Sequence, residues 1–289
     1  MRSLITILAI AATALFGLQA PAAVADPDAA PAAAIPEGPA QAWLVADMDT
    51  GQILTGRNEY GQYAPASTIK VLLALTVLNE LSMDQTITAT KADTAVECNC
   101  AGVEPGRSYT VRQLLPALLL VSGNDAANTL ATGLGGQEQA VAKMNAMAAL
   151  LGAYGTNAGS PSGLDGPGIP MWTSPHDLAV IFRAAMANPV FAQITSMPTA
   201  VFPTKTGDTV LVNQDELLKR YPGALGGKTG YTNIARKTFV GAAQRGDRRL
   251  IVVTMFGLDT AGAPTNWDQA MRLLDWGFAQ SPQSSVGAL

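Results

Sequence analysis

An α/β fold, with an antiparallel sheet flanked by helices and built from both chain ends around an inserted, mainly helical part, is what this 289-residue sequence predicts. Two pairs of apolar, strand-like runs lie near opposite ends of the chain. Between them stand four segments with helical apolar spacing. Outside this pattern falls the N-terminal stretch, which has the composition of a targeting segment followed by a linker.

Taken in order, Met1-Arg2, an apolar run over 4–18 and Ala23-Val24-Ala25 have the charged, apolar and small-residue parts of a secretory signal over residues 1–25. The apolar run is shorter than the roughly 20 residues a membrane span needs, so cleavage after Ala25 and an exported product are expected. Residues 26–40 are almost only Ala, Pro and a few acids, a tether that cannot bury a core. One domain then covers 41–289, its α/β part about 41–66 and 200–289 and its helical part about 67–199. Runs 42–46 and 52–55, around the five-residue turn 47–51, read as a hairpin. Segments 67–81, 110–121, 137–151 and 174–187 read as helices, the last capped by Ser174 before Pro175. Lys205-Thr206-Gly207, beside Pro203 and Asp208 between two apolar runs, reads as a hairpin turn. Runs 237–242 and 249–254 make a hairpin apolar enough for the centre of a sheet, and a last helix covers about 267–278.

A net charge of −4 with scattered basic residues argues against a nucleic-acid partner. Cys98 and Cys100 are the only cysteines, and an exported compartment permits a bridge between them. With two cysteines and the single His176, a metal site is not expected, nor is a Ser-His-Asp triad.

The chemistry is carried elsewhere. Ser67 and Lys70, three apart at the start of a helix, share one face, so an amine made neutral by burial and a nearby cation could take the serine proton. Two further motifs follow in order, Ser122-Gly123-Asn124 after an apolar helix and Lys228-Thr229-Gly230 ahead of a strand. In these three motifs the chain resembles the penicillin-interacting serine enzymes, most closely the D-alanyl-D-alanine carboxypeptidases among the low-molecular-mass penicillin-binding proteins, over nearly everything from Gln41 onward.

The resemblance implies a β-lactamase/transpeptidase-like fold and an acyl-enzyme at Ser67, with Lys70 as base, Ser122 as proton relay and Asn124 holding Lys70 and a substrate carbonyl. It places Lys228 and Thr229 at the substrate carboxylate, has Gly230 keep the strand open, and gives the oxyanion the backbone N–H groups of Ser67 and Tyr231. The expected substrates are peptidoglycan stem peptides ending in D-Ala-D-Ala, with β-lactam antibiotics as covalent inhibitors, no metal or organic cofactor, and no stable protein partner. The Lys228 copy of Lys-Thr-Gly is preferred to Lys205-Thr206-Gly207, because Gly226-Gly227 precedes it and a strand follows. Asp125 reads as structural, and no chemistry is assigned to Ser162-Gly163-Leu164-Asp165-Gly166. Some relatives place an arginine near the substrate carboxylate where this chain has Pro264-Thr265-Asn266, and Arg236 is the expected substitute. A D,D-endopeptidase would use the same residues. A β-lactamase would need a water-delivering E-x-x-L-N loop that is not found, and a sensor of muropeptides or β-lactams is the non-enzymatic alternative.

Overall fold

A computed structural model describes residues 34–289. The expected signal segment 1–25 and tether residues 26–33 lie outside them. In chain order the first half holds β1 (Ala40–Asp47), β2 (Gln52–Arg57), a 3-10 turn (Ala66–Ile69) running into α1 (Lys70–Glu80), β3 (Thr86–Thr88), α2 (Lys91–Thr94), β4 (Ser108–Thr110), α3 (Val111–Leu119), α4 (Asn124–Gly133) and α5 (Gln137–Leu150). The second holds α6 (Pro175–Met186), α7 (Pro189–Thr195), β5 (Thr199–Thr204), β6 (Gly207–Val212), α8 (Glu216–Arg220), β7 (Ala224–Thr232), β8 (Arg236–Arg245), β9 (Arg248–Gly257), α9 (Asn266–Ala279) and β10 (Gly287–Ala288).

Both chain ends meet in one six-stranded sheet, ordered β10-β2-β1-β9-β8-β7 and antiparallel at every pairing. Its central strands are buried on both faces, which is why they read as apolar runs without a clean alternation. Ala42, Leu44 and Ala46 of β1 enter the large core shared with the helices, while Trp43 and Val45 point to the other face, under Ala270, Leu273 and Leu274 of α9. The period of two sorts one strand's side chains between two cores.

Capping fixes where helices begin. Thr110 and Gln113 form a reciprocal capping box at α3, Thr265 and Asp268 another at α9, and Ser174 caps α6 ahead of Pro175 as expected. The structure divides the expected helix 67–81: Ser67 stands in the 3-10 turn and Lys70 opens the α-helix proper. It also adds α4 and α7, which the apolar spacing did not reveal. α4 reads Asn-Asp-Ala-Ala-Asn-Thr, polar by composition, yet all six residues are buried. The β5–β6 hairpin stacks Phe202 on Tyr109 at 5.3 Å between ring centroids, and its turn carries Lys205-Thr206-Gly207.

Candidate active site

Ser67, Ser122, Asn124, Thr229, Gly230 and Tyr231 line one cleft of about 430 Å³. Lys70 and Lys228 lie directly beneath it, both inaccessible to solvent. All eight residues singled out from the sequence are therefore brought together, by a turn, a helix–helix joint and a strand at the edge of the sheet.

The local backbone is unusual where the nucleophile candidate sits. Ala66, immediately before Ser67, has φ 48°, and Ser122, between α3 and α4, has φ 59°. Non-glycine residues held in this region cost on the order of 1 kcal/mol or more each and persist only where the surroundings impose them. The surroundings are visible: Thr238 on β8 donates its hydroxyl to the Pro65 carbonyl at 2.9 Å, and the Gly123 N–H donates to Ala117 O at 2.9 Å.

Lys70 Nζ has three neighbours. It lies 2.8 Å from Ser67 Oγ, 2.8 Å from Asn124 Oδ1 and 2.5 Å from the backbone carbonyl of Ser162. Two of these are oxygens that can only accept, whereas the serine hydroxyl can also donate. A neutral amine donates twice and carries one lone pair, so in that state Lys70 satisfies the carbonyls and turns its lone pair toward the Ser67 O–H. Burial, then the adjacent Lys228 charge, push Lys70 well below the ordinary lysine range, and Asp125 pulls partly in the opposite direction.

Lys228 Nζ donates to Ser122 Oγ at 2.9 Å and to Thr229 O at 2.7 Å. Burial lowers its pKa to about 7, with the Asp215 charge opposing. A contiguous polar path thus runs from Ser67 through Lys70 to Asn124, and separately from Ser122 to Lys228.

Gly230 places the strand against the nucleophile. A Cβ there would lie 2.3 Å from Thr238 Oγ1 and 2.9 Å from Ser67 N, so only glycine lets β7 come this close. Because β7 is an edge strand, alternate backbone N–H groups along it face away from β8 and are open to a ligand.

Three features were not read from the sequence. The loop Ser162-Gly163-Leu164, given no chemistry there, supplies a partner of Lys70 through a main-chain carbonyl. Gly163 (φ 84°) lies so close to the 3-10 turn that a Cβ would sit 2.1 Å from Ala66 O. A backbone carbonyl has no signature in residue identity; the glycine was the only hint. Lys237, not the expected Arg236, lines the cleft: Arg236 is exposed at the β7–β8 turn, while the Lys237 ammonium pairs with Asp259. Alternation along β8 sends neighbouring side chains to opposite faces, so a choice between 236 and 237 needed the strand register.

The third feature is the Cys98–Cys100 disulfide, which the sequence only permitted. Cys98 lines the cleft beside Glu97 and Asn99. The Asn124 side-chain amide donates to Glu97 O at 2.7 Å, and its backbone N–H donates to Asn99 O at 2.7 Å. Asp125 accepts the N–H groups of Ala101, Gly102 and Val103, each at 2.9 Å. Its role is structural, as expected. It ties the disulfide loop to the start of α4, and through Asn124 that start reaches Lys70. His176 is elsewhere, its Nδ1 3.1 Å from Asp177.

The family model for D-alanyl-D-alanine carboxypeptidases, peptidase family S11, matches residues 29–258. The chain is 66% identical over 267 residues to the D-alanyl-D-alanine carboxypeptidase DacB2 of Mycobacterium tuberculosis, covering 92% of each. Against DacF of Bacillus subtilis it is 30% identical over 248 residues, 83% of this chain and 62% of that longer relative. A crystal structure of the D-alanyl-D-alanine carboxypeptidase from M. tuberculosis H37Rv superposes with a TM-score of 0.88 at 66% identity, over 90% of this chain and 98% of the other. A Streptomyces K15 DD-transpeptidase variant does so with a TM-score of 0.78 at 30% identity, over 85% and 100%.

Proposed function

Since the chain belongs to the D-alanyl-D-alanine carboxypeptidase family, we propose that it releases the terminal D-alanine of peptidoglycan peptides through an acyl-Ser67 intermediate, with Lys70 as base. Enzymes of this family are hydrolases of the cell envelope that act on peptides ending in D-Ala-D-Ala. The observation that carries the assignment of roles is the setting of Lys70: buried, depressed in pKa, and 2.8 Å from Ser67 Oγ with both other contacts to carbonyls.

The substrate's terminal carboxylate docks on Lys228 and Thr229, which sets the penultimate carbonyl over Ser67. Ser67 Oγ attacks that carbonyl carbon as its proton passes to Lys70. The negative charge on the carbonyl oxygen falls to the backbone N–H groups of Ser67 and Tyr231, the first on the turn entering α1 and the second on the edge strand. With bound substrate bridging the two polar paths, the proton returns by way of Ser122 to the departing D-alanine nitrogen, the C–N bond breaks, and water then hydrolyses the ester with Lys70 again as base. A β-lactam carbonyl enters the same sequence and stops at the acyl-enzyme. Export directed by residues 1–25 completes the reading, since the substrate lies outside the cytoplasm.

Two lysines in one site must hold opposite protonation states. Burial lowers both; a charged Lys228 lowers Lys70 further, whereas a negative Asp215 opposes the fall of Lys228. Acylation therefore falls on the acid side, as Lys70 takes up a proton, and on the alkaline side above about pH 7, as Lys228 loses one.

D-Alanine release from a muramyl pentapeptide, measured for the parent protein beside Ser67→Ala, tests the assignment. Release by the parent alone is expected, with fluorescent penicillin labelling lost in the variant. Undiminished release by Ser67→Ala would overturn it.

A further inference from the structure

Asp215 lies behind the cleft, in the segment that joins β6 to α8. It is 1% exposed, and its carboxylate is only half used. Oδ1 accepts the Leu217 N–H at 2.8 Å as the cap of the five-residue helix α8, whereas Oδ2 is buried with no hydrogen-bond partner among the described residues. A buried carboxylate oxygen left unpaired costs more than the cap returns, so a cap alone does not account for an acid at this position. Serine or asparagine would cap as well.

The segment around Asp215 is fixed to both sides of the Ser122–Lys228 contact. Gln214 donates its N–H to Leu120 O at 3.0 Å, two residues before Ser122, and Gln214 itself lines the cleft. Asn213 accepts the Asp215 N–H at 2.9 Å and donates to Thr195 O at 3.2 Å, while the Thr195 hydroxyl donates to Gly227 O at 3.0 Å, one residue before Lys228. Helix α8 packs directly on β7. The segment that carries Asp215 is thus tied to β7, the strand that carries Lys228.

We infer that Asp215 is a positioning residue whose unpaired buried carboxylate keeps Lys228 an ammonium, so that Lys228 can receive a substrate carboxylate. The inference rests on the proposed role of Lys228. Asp215 does not touch substrate; it acts through the lysine, and through that charge on Lys70.

The charges that bear on the pair are few. Lys70 on α1 is neutral when Lys228 is charged, Asp125 on α4 acts on Lys70, Glu216 stands beside Asp215 on α8, and Lys237 on β8 pairs with Asp259. Burial raises Asp215 to about 6, and the Lys228 charge opposes that rise. Between about pH 6 and pH 7 both partners are charged. Below that window Asp215 takes up a proton and the parent behaves as though the charge were gone; above it Lys228 is neutral with or without Asp215.

Asp215→Asn keeps the capping oxygen and removes only the charge. In this variant the alkaline limb of penicillin acylation should move to lower pH, with acylation reduced at pH 7 and converging on the parent below pH 6. The Lys228 Nζ resonance, followed by nitrogen-15 NMR, should titrate lower by the same amount, and this readout needs no turnover. The melting temperature should stay within about 4 °C of the parent, as for a loss that leaves packing intact, and Asp215→Glu should restore part of the limb. An unmoved Lys228 titration, or a uniform loss of acylation at every pH, would overturn the inference while leaving an active parent's Lys70 chemistry standing. An unlabelled parent would overturn both.

Discussion

The tripeptide Lys-Thr-Gly occurs twice, 23 residues apart, and the two copies differ in everything but sequence. Lys205-Thr206-Gly207 is exposed at the turn of a two-stranded hairpin, with open space around Gly207. Lys228-Thr229-Gly230 lies on the edge strand of the six-stranded sheet, its lysine 1% exposed and bonded to Ser122. What separates them is the pair Gly226-Gly227. A Cβ on Gly226 would meet Thr195 O at 2.4 Å, and one on Gly227 would meet Val240 O at 2.5 Å, so these glycines let β7 close against α7 and β8. Desolvation of the second lysine follows from that approach, and with it a charge strong enough to bind and to perturb. A motif acquires chemistry from the packing of its neighbours.

The sharpest way to break this comparison is to remove each lysine. Lys228→Ala should lower penicillin acylation and peptide turnover on the order of a hundredfold or more, the 2–5 kcal/mol typical of truncating a buried charge partner. Lys205→Ala, which removes an exposed cation at a hairpin turn, should stay within about twofold. Second-order acylation constants at pH 7 measure both. Equal losses would mean that the hairpin copy contributes to the site.

Replacing each glycine comes next in size. In Gly230→Ala the new methyl meets Thr238 Oγ1, which must give up its bond to Pro65 O, and presses on the Ser67 backbone; overpacking of this kind costs about 1–3 kcal/mol. Acylation should fall about tenfold or more for that reason. Gly207→Ala meets no atom but keeps φ near 119°, where a side chain is strained by about 1–3 kcal/mol. It should lower the melting temperature and leave acylation alone. A thermal melt read beside the acylation rate separates the two, and an acylation defect in Gly207→Ala would break the distinction.

Legibility followed the same line. The sheet built from both ends, the hairpin turn at Lys205 and the preference for the later Lys-Thr-Gly were readable, because strands buried on two faces leave long apolar runs and paired glycines mark a close approach. Ser67, Lys70, Ser122 and Asn124 were readable as side chains of a recognisable chemistry. Helix α4 was not, since its buried Asn124, Asp125 and Asn128 find their partners far away in sequence: Glu97 and Asn99, the loop 101–103, and Asp93. Neither was the Ser162 carbonyl, which acts through the main chain, nor Asp215, whose sequence signature is that of any helix cap. Sequence shows which groups can react; which groups set their charge depends on contacts that only folding creates.

The smallest expected effect links the two copies through the disulfide loop. Thr204, beside the hairpin turn, lies 3.5 Å from where a Cβ on Gly102 would be, and Gly102 follows the Cys98–Cys100 bridge in the loop that Asp125 holds. The hairpin copy therefore bears on the cleft from outside, through residues 97–103. Inside, Glu97 O and Asn99 O orient Asn124, whose Oδ1 holds Lys70. Opening the bridge with a dithiol, which is oxidised to its own disulfide as Cys98 and Cys100 become thiols, frees two side chains but leaves the three Asp125 bonds in place. Acylation should then fall by only about threefold, the scale of a loosened hydrogen bond of about 0.5–1 kcal/mol, and Cys98→Ala/Cys100→Ala should match the reduced protein without responding to reductant. A loss as large as that of Lys228→Ala would show that the bridge, more than Asp125, holds Asn124 against Lys70. An unchanged rate in both forms would assign that task to Asp125 alone.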